Sequence, residues 1–303
     1  KPLSNEEDRA ITAGLQPLPI IDSNINAYFG LTLSDEQNHQ EVIPFFPLAR
    51  QNFIEQDLTE AFYRLGRNKP NLGIITSLPM SDEIIGNVVT PKWEIINQLE
   101  QFYNIYFLTE NSTFSNIDAL IIAHPQGLSA ALQEKIKDYS FNGGKILAFF
   151  DIAAESLQLV GPLTKPLQAS DFGSLPEQWG FRFLDKGVIA DLDNSSFIDA
   201  TTDYQNNPEY TQDLIQFYLR DYNFASSSPI TAGLHQILLT SASAFTPIKG
   251  ANINFEPIAI ASPNSELLSA AAVYNHVHPA DILRQFKADN RIKPVAAHIT
   301  GTD

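Results

Sequence analysis

IDALIIAHPQGLSAALQEKIKDYSFNGGKILAFFD, residues 117–151, is the stretch whose reading decides the fold. Ala119 to Ala123 is a short apolar run of the kind buried on both faces of a parallel sheet. His124-Pro125 stops it, because proline has no N–H to give to a ladder. Leu128, Leu132, Ile136 and Tyr139 then recur at helical spacing, with Gln133, Glu134, Lys135, Lys137 and Asp138 between them. Gly143-Gly144 supplies the positive-φ exit that helices favour, and Ile146 to Phe150 is a second apolar strand that ends at Asp151. Strand, helix and strand in that order make a βαβ unit with a right-handed crossover.

Upstream the same alternation continues. Leu72 to Ser77 reads as the first strand of the sheet, and Ile105 to Leu108 as the next. Between them Thr90-Pro91 opens a helix, with Thr90 as N-cap and a buried stripe of Trp93, Ile96, Leu99 and Tyr103. Repeated strand–helix–strand units with short connections predict an α/β fold with a doubly wound, mostly parallel sheet.

Both flanks are less regular. Toward the N-terminus, Ile20-Ile21 reads as strand. Tyr28 to Leu33 and Val42 to Phe46 form a hairpin around a polar loop at 34–40, and Asn52 to Leu65 is a helix closed by Gly66. Beyond Asp151 the pattern loosens. Residues 161–166 are a turn-rich connection, 174–180 a short helix and 187–190 a strand, while 191–209 are a polar loop or strand edge. A helix follows over 208–219, strands over 238–244 and 256–261, and mostly helix from Ser262 onward. The expected division is an N-terminal arm over 1–67, an α/β core over 68–262 and a C-terminal helical tail or linker over 263–303.

Composition excludes several classes of function. Lys and Arg number 19 against 35 Asp and Glu, a net charge of −16, which opposes binding to nucleic acid or anionic lipid. With no cysteine there is no disulfide, thiolate metal site or cysteine nucleophile. No apolar run is long enough to span a membrane, so no membrane insertion by these residues is expected. The chain opens on a polar, acidic segment without a methionine, as expected of a fragment or processed chain.

Ligands of open α/β sheets bind outside the carboxyl ends of the strands. Those ends carry Ser77, Met80, His124, Gln126 and Asp151, a candidate ligand-binding rim. Ser, His and Asp at one rim also raise a hydrolase reading, although no G-x-S-x-G elbow occurs. Phosphate-cradling glycine loops are missing, and no cofactor is expected. Asp191-Leu-Asp193-Asn194-Ser195 begins like a calcium loop, but Ser196 replaces the required glycine and Thr202 the bidentate glutamate. His276-Val-His278 offers two imidazoles without a third ligand. Tyr210, Phe217, Tyr218, Tyr222 and Phe224 form an aromatic cluster, read as a second small core or a partner surface.

Several segments in order carry a family resemblance: ITAGL at 11–15, AYFGLTL at 27–33, VIPFF at 42–46, FIEQDLTEAFYRL at 53–65 and KPNLGIITSLPM at 69–80. The Trp93-led helix, IDALIIAHPQGLS at 117–129, DYSFNGGKILAFFDIAAES at 138–156, WGF at 179–181 and KGVIADLDNS at 186–195 complete it. The chain resembles the auxiliary component of the uncharacterised ABC-type transport system associated with gliding motility, the GldG type. The resemblance implies a flavodoxin-like or class I glutamine amidotransferase-like fold. It also implies a membrane-anchored, extracytoplasmic (periplasmic) domain of an inner-membrane protein, with an ABC permease and ATPase as partners. A non-enzymatic scaffold or ligand-sensing role follows, and a glycan is the alternative ligand. The amidotransferase reaction needs a cysteine nucleophile that this chain lacks.

Overall fold

The computed structural model describes residues 4–301, except 21–24, 66–67, 86–87, 155–167, 185–186 and 202–207. Ile21, Gly66, Thr202 and the turn-rich connection at 161–166 therefore lie outside the described residues. The chain divides into two compact units, 1–71 with 94–105, and 72–93 with 106–303.

In the first unit, helix α1 (Asn5–Thr12) starts at Ser4, whose hydroxyl accepts the Glu7 N–H, with Glu6, Glu7 and Asp8 at the positive end of its dipole. Strands β1 (Pro17–Pro19) and β2 (Asn26–Tyr28) pair antiparallel, as do β3 (Leu31–Ser34) and β4 (Gln40–Ile43). The β3–β4 turn forms because the Asp35 carboxylate accepts the Gln37 and His39 N–H groups, both at 2.9 Å. Helix α2 (Ile54–Arg64) is tied to β4 by Arg64 on Glu41 at 3.1 Å.

The chain continues with β5 (Asn71–Thr76), in the second unit but for Asn71, the hairpin β6 (Glu83–Ile85) with β7 (Val88–Thr90), α3 (Glu94–Leu99) of the first unit, and β8 (Asn104–Phe107), whose first two residues fall in the first unit. Thr90 ends a strand instead of capping a helix. The Asp82 carboxylate accepts the Lys92 N–H at 2.8 Å and the Met80 carbonyl accepts that of Trp93 at 3.1 Å, so the two donors that an N-cap at position 90 would satisfy are already taken. The βαβ unit is present as read, with β9 (Ala119–Ala123), α4 (Ala130–Phe141) and β10 (Lys145–Phe149). Ser129 caps α4 by accepting the Leu132 N–H. Gly143 has φ +85°, and a Cβ on Gly144 would lie 2.3 Å from the Tyr139 ring, so each glycine has its own reason to be there. Leu132 and Ile136 of α4 pack on Ile75, Leu120 and Ile122, and Phe172 and Leu175 extend that core.

The sheet order is β10-β9-β5-β8, and both β5 and β10 run parallel to β9. This is the one parallel sheet among the described residues. The expected doubly wound, flavodoxin-like or amidotransferase-like parallel fold is therefore corrected to a mixed α/β fold of several small sheets, most of them antiparallel.

After α5 (Leu175–Gln178) every described pairing is antiparallel: β11 (Phe181–Phe183) with β16 (Phe245–Pro247), β12 (Gly187–Asp191) with β18 (Ser265–Ser269), and β14 (Tyr210–Arg220) between β13 (Ser195–Asp199) and β15 (Gln236–Thr240). Last, β17 (Ile253–Ile260) pairs with β19 (Pro294–Gly301) after the short helices α6 (Ala271–Tyr274) and α7 (Pro279–Gln285). Two expected helices are thus corrected. Residues 208–219 are mostly strand β14, and the region after Ser262 opens and closes on strands.

The β14 misreading has a physical cause. Ser195 faces Phe217 but Ser196 faces Asp213, so the residues between them form a bulge. A bulge breaks the two-residue alternation and leaves Leu214 and Phe217 at helix-like spacing. Asp213 holds the bulge by accepting the N–H groups of Ile215 at 3.0 Å and Gln216 at 3.3 Å. Burial raises its carboxyl pKa, opposed by those two donors. Val188, Ala190, Leu214, Ile215, Val273 and Ile282 form the core beneath.

Candidate functional site

The rim residues lie in the second unit, and Gln126 is their hub. Its backbone N–H donates to Ser77 Oγ at 2.9 Å and its side-chain nitrogen to the Ala169 carbonyl at 2.6 Å. A carbonyl only accepts, so that side-chain atom is the amide nitrogen. The same nitrogen lies 3.3 Å from His124 Nε2, which must therefore be the accepting ring nitrogen. The imidazole proton then sits on Nδ1 and is donated to Ser170 Oγ at 3.0 Å.

His124 is 2 % exposed and takes the left-handed conformation, with φ 44°. For a residue other than glycine this costs about 1 kcal/mol, and the surrounding hydrogen bonds hold it there. Burial lowers its pKa, in keeping with a neutral ring.

Asp151 joins the same framework through its backbone. Its N–H donates to Ser170 Oγ at 2.9 Å and its carbonyl accepts the Ser170 N–H at 2.7 Å. Its carboxylate accepts the Ala153 N–H at 2.8 Å. Tyr274 donates to the Ile152 carbonyl at 2.5 Å, and its phenol pKa is raised by burial and then by the Asp151 charge. Met80 is 7 % exposed and presents little surface to a ligand.

The structure thus brings Ser77, Gln126, His124 and Asp151 into one network through Ala169 and Ser170, two residues the sequence did not single out. It does not form a Ser–His pair: no hydrogen bond joins Ser77 to His124 among the described residues. Both imidazole nitrogens are engaged, so the proton relay of a triad is not assembled. The network fastens the ends of β9 and β10 to the segment at 169–171.

A second polar centre forms around Asp191, which the sequence marked only as the start of a calcium-like loop, and its partners Ser262 and Tyr222 were not joined to it there. Asp191 is fully buried at the end of β12. Oδ1 accepts from Ser262 Oγ at 2.6 Å and the Asn194 N–H at 3.2 Å, and Oδ2 from the Ser262 N–H at 2.7 Å and Asn194 Nδ2 at 3.0 Å. Asn194 Oδ1 in turn accepts from Tyr222 at 2.5 Å. The calcium-like rhythm at 191–195 is therefore a hydrogen-bonded turn with its carboxylate saturated. Nearby, Ser265 Oγ donates to the Ser262 carbonyl at 2.5 Å, and the fully buried Lys293 ammonium donates to the Ser265 and Arg291 carbonyls and to Asp289. The available signal was an apolar run, Val188 to Ala190, leading directly into an aspartate.

Among the described residues no group of three His, Cys, Asp or Glu side chains is placed to hold a metal ion. His278 Nε2 lies 3.2 Å from the Ala200 carbonyl and its Nδ1 accepts the Ala280 N–H, capping α7. No helix among the described residues is long and apolar enough to cross a membrane.

Both polar centres join segments distant in sequence through saturated side-chain hydrogen bonds. Residues 69–302 match the family described as an ABC-type uncharacterized transport system, in its auxiliary component, and the chain belongs to that family. No curated protein and no solved structure matches the chain.

Proposed function

We propose that this chain is an extracytoplasmic, non-enzymatic domain of an ABC-transporter auxiliary subunit, serving as a scaffold or ligand-sensing module beside the permease and ATPase. The observation that carries the proposal is the family match, which runs from the start of β5 to the end of β19. The rim supports the absence of turnover. His124 Nε2, the nitrogen a triad would aim at its serine, is occupied by Gln126, and Ser77 is turned to the Gln126 backbone. A ligand entering there would have to compete with the Ala169 carbonyl and His124 for the Gln126 amide. A link to gliding motility forms no part of the proposal, since the match reaches only the transport family.

The test is co-purification of the full-length protein from membranes in mild detergent, with mass spectrometry of what accompanies it. Recovery of an ABC permease and ATPase at near-stoichiometric amounts is expected. Recovery of the protein alone would remove the transporter role.

A further inference from the structure

The aromatic cluster at 210–224 splits in the structure. Phe217 is fully buried and Phe224 packs against the same core, whereas Tyr210 is 58 % exposed and joins Phe197, 74 % exposed, on the outer face of β13–β14. Their rings lie within 12° of parallel, with centroids 6.2 Å apart. In the register, Phe197 faces Gln212 and Asp199 faces Tyr210, so the two rings meet diagonally across the strands. Beside them Gln212 donates to Ser195 Oγ at 2.8 Å, which stiffens the hairpin next to the platform.

Two further features say what such a platform takes. First, β13 is an edge: among the described residues it pairs only with β14. Exposed rings on an unpaired strand edge invite another strand. Second, from Gly187 to Leu219 the sequence has no Lys, Arg or His and six carboxylates. Asp191 is consumed in the interior and Asp213 by its bulge; Asp203 lies outside the described residues, and the other three, Asp193, Asp199 and Glu209, are exposed on this hairpin. The cation on α7, which packs beneath β14, is Arg284, already paired with Asp281 at 3.0 Å. A second copy of the same acidic face would be repelled, so the charge calls for a basic partner.

We propose that the β13–β14 platform docks an extended, arginine-bearing segment of a partner protein. The segment adds to the free edge of β13 through main-chain hydrogen bonds. A guanidinium lies over the Phe197–Tyr210 rings, with Asp199 and Glu209 supplying the opposite charge. Arginine suits the site because its planar group stacks on ring faces while keeping its charge. This docking stands independently of which partner carries the segment.

The test is fluorescence anisotropy of the whole chain with a labelled octapeptide of alternating arginine and threonine at low salt. Saturable binding is expected, weakened about fivefold or more in Phe197→Ser/Tyr210→Ser, since that change removes the stacking and keeps the net charge. The control Phe62→Ser removes a ring that is 60 % exposed in the first unit and is expected to leave binding unchanged. Far-UV circular dichroism checks that each variant is folded. Equal affinity of the double variant and the wild type would reduce the interaction to general attraction by net charge and overturn the proposal. So would an absence of binding, or an equal loss in the Phe62 control.

Discussion

His124 Nδ1 lies 3.0 Å from Ser170 Oγ, a residue 46 positions further along the chain, and it is the donor there because the Gln126 amide occupies Nε2. With Nε2 accepting from Gln126, protonation would set two donors against each other in a buried site. Since burial lowers the folded pKa below the ordinary 6.5, the unfolded chain binds the proton more readily. The stabilisation by neutral His124 is complete above about pH 6.5 and falls as pH drops below it. Urea unfolding at a series of pH values should show this decline, and His124→Gln should flatten it.

Removing the hub should loosen the rim. Gln126→Ala leaves the Ala169 carbonyl and His124 Nε2 without their donor. A loss of about 1–2 kcal/mol is expected in chemical denaturation. Ser77→Ala removes a single acceptor at an exposed position and should cost less.

Asp191→Asn tests the saturated carboxylate. The new amide would direct donors at the Ser262 or Asn194 N–H groups, so one buried donor or more loses its acceptor. A destabilisation of about 3 kcal/mol is expected, and calcium should leave the melting temperature of both proteins unchanged.

Asp289 contributes to the acid limb. Burial alone would raise its pKa, but Lys293 and Arg291 outweigh that and hold it at about 2, against an ordinary 3.8. Its contribution is therefore full above about pH 4 and is lost as pH falls toward 2, on the order of 1–2 kcal/mol given its partial exposure. Asp289→Asn should remove this share of the acid limb in acid-unfolding curves. The substitution should also destabilise at neutral pH, by about 3 kcal/mol, because it leaves the buried Lys293 ammonium without its counter-charge.

Gly144→Ala places a methyl group against the Tyr139 ring and should cost about 1–3 kcal/mol as overpacking. Tyr139→Leu in the same chain should recover part of the loss, measured as a rise in melting temperature over Gly144→Ala alone.

The parts of this fold that were legible in the sequence are those whose signals are local. Ala119 to Phe149 carries two apolar runs, a capped amphipathic helix and a glycine exit within one short stretch, and the structure follows it. Where pairing is distant the local pattern fails. Pro294–Gly301 finds its partner in Ile253–Ile260, and nothing in the intervening segment announces an antiparallel ladder. At Tyr210–Arg220 the bulge at Asp213 imitates helical spacing, so periodicity points to the wrong element. The site shows the same limit. His124 and Asp151 could be seen as strand ends, but Ser170, which joins them, lies on a segment with no periodic signal. Asp191 and Ser262 are 71 residues apart and meet only in the folded chain.

The most direct measurement of the central claim is binding of the purified domain to a purified ABC permease–ATPase pair from the same organism, held in lipid nanodiscs and read by interferometry. Membership of the transport family and the proposed auxiliary role predict saturable one-to-one binding, with no turnover by the domain itself. Failure to bind the assembled pair at any accessible concentration would contradict the account.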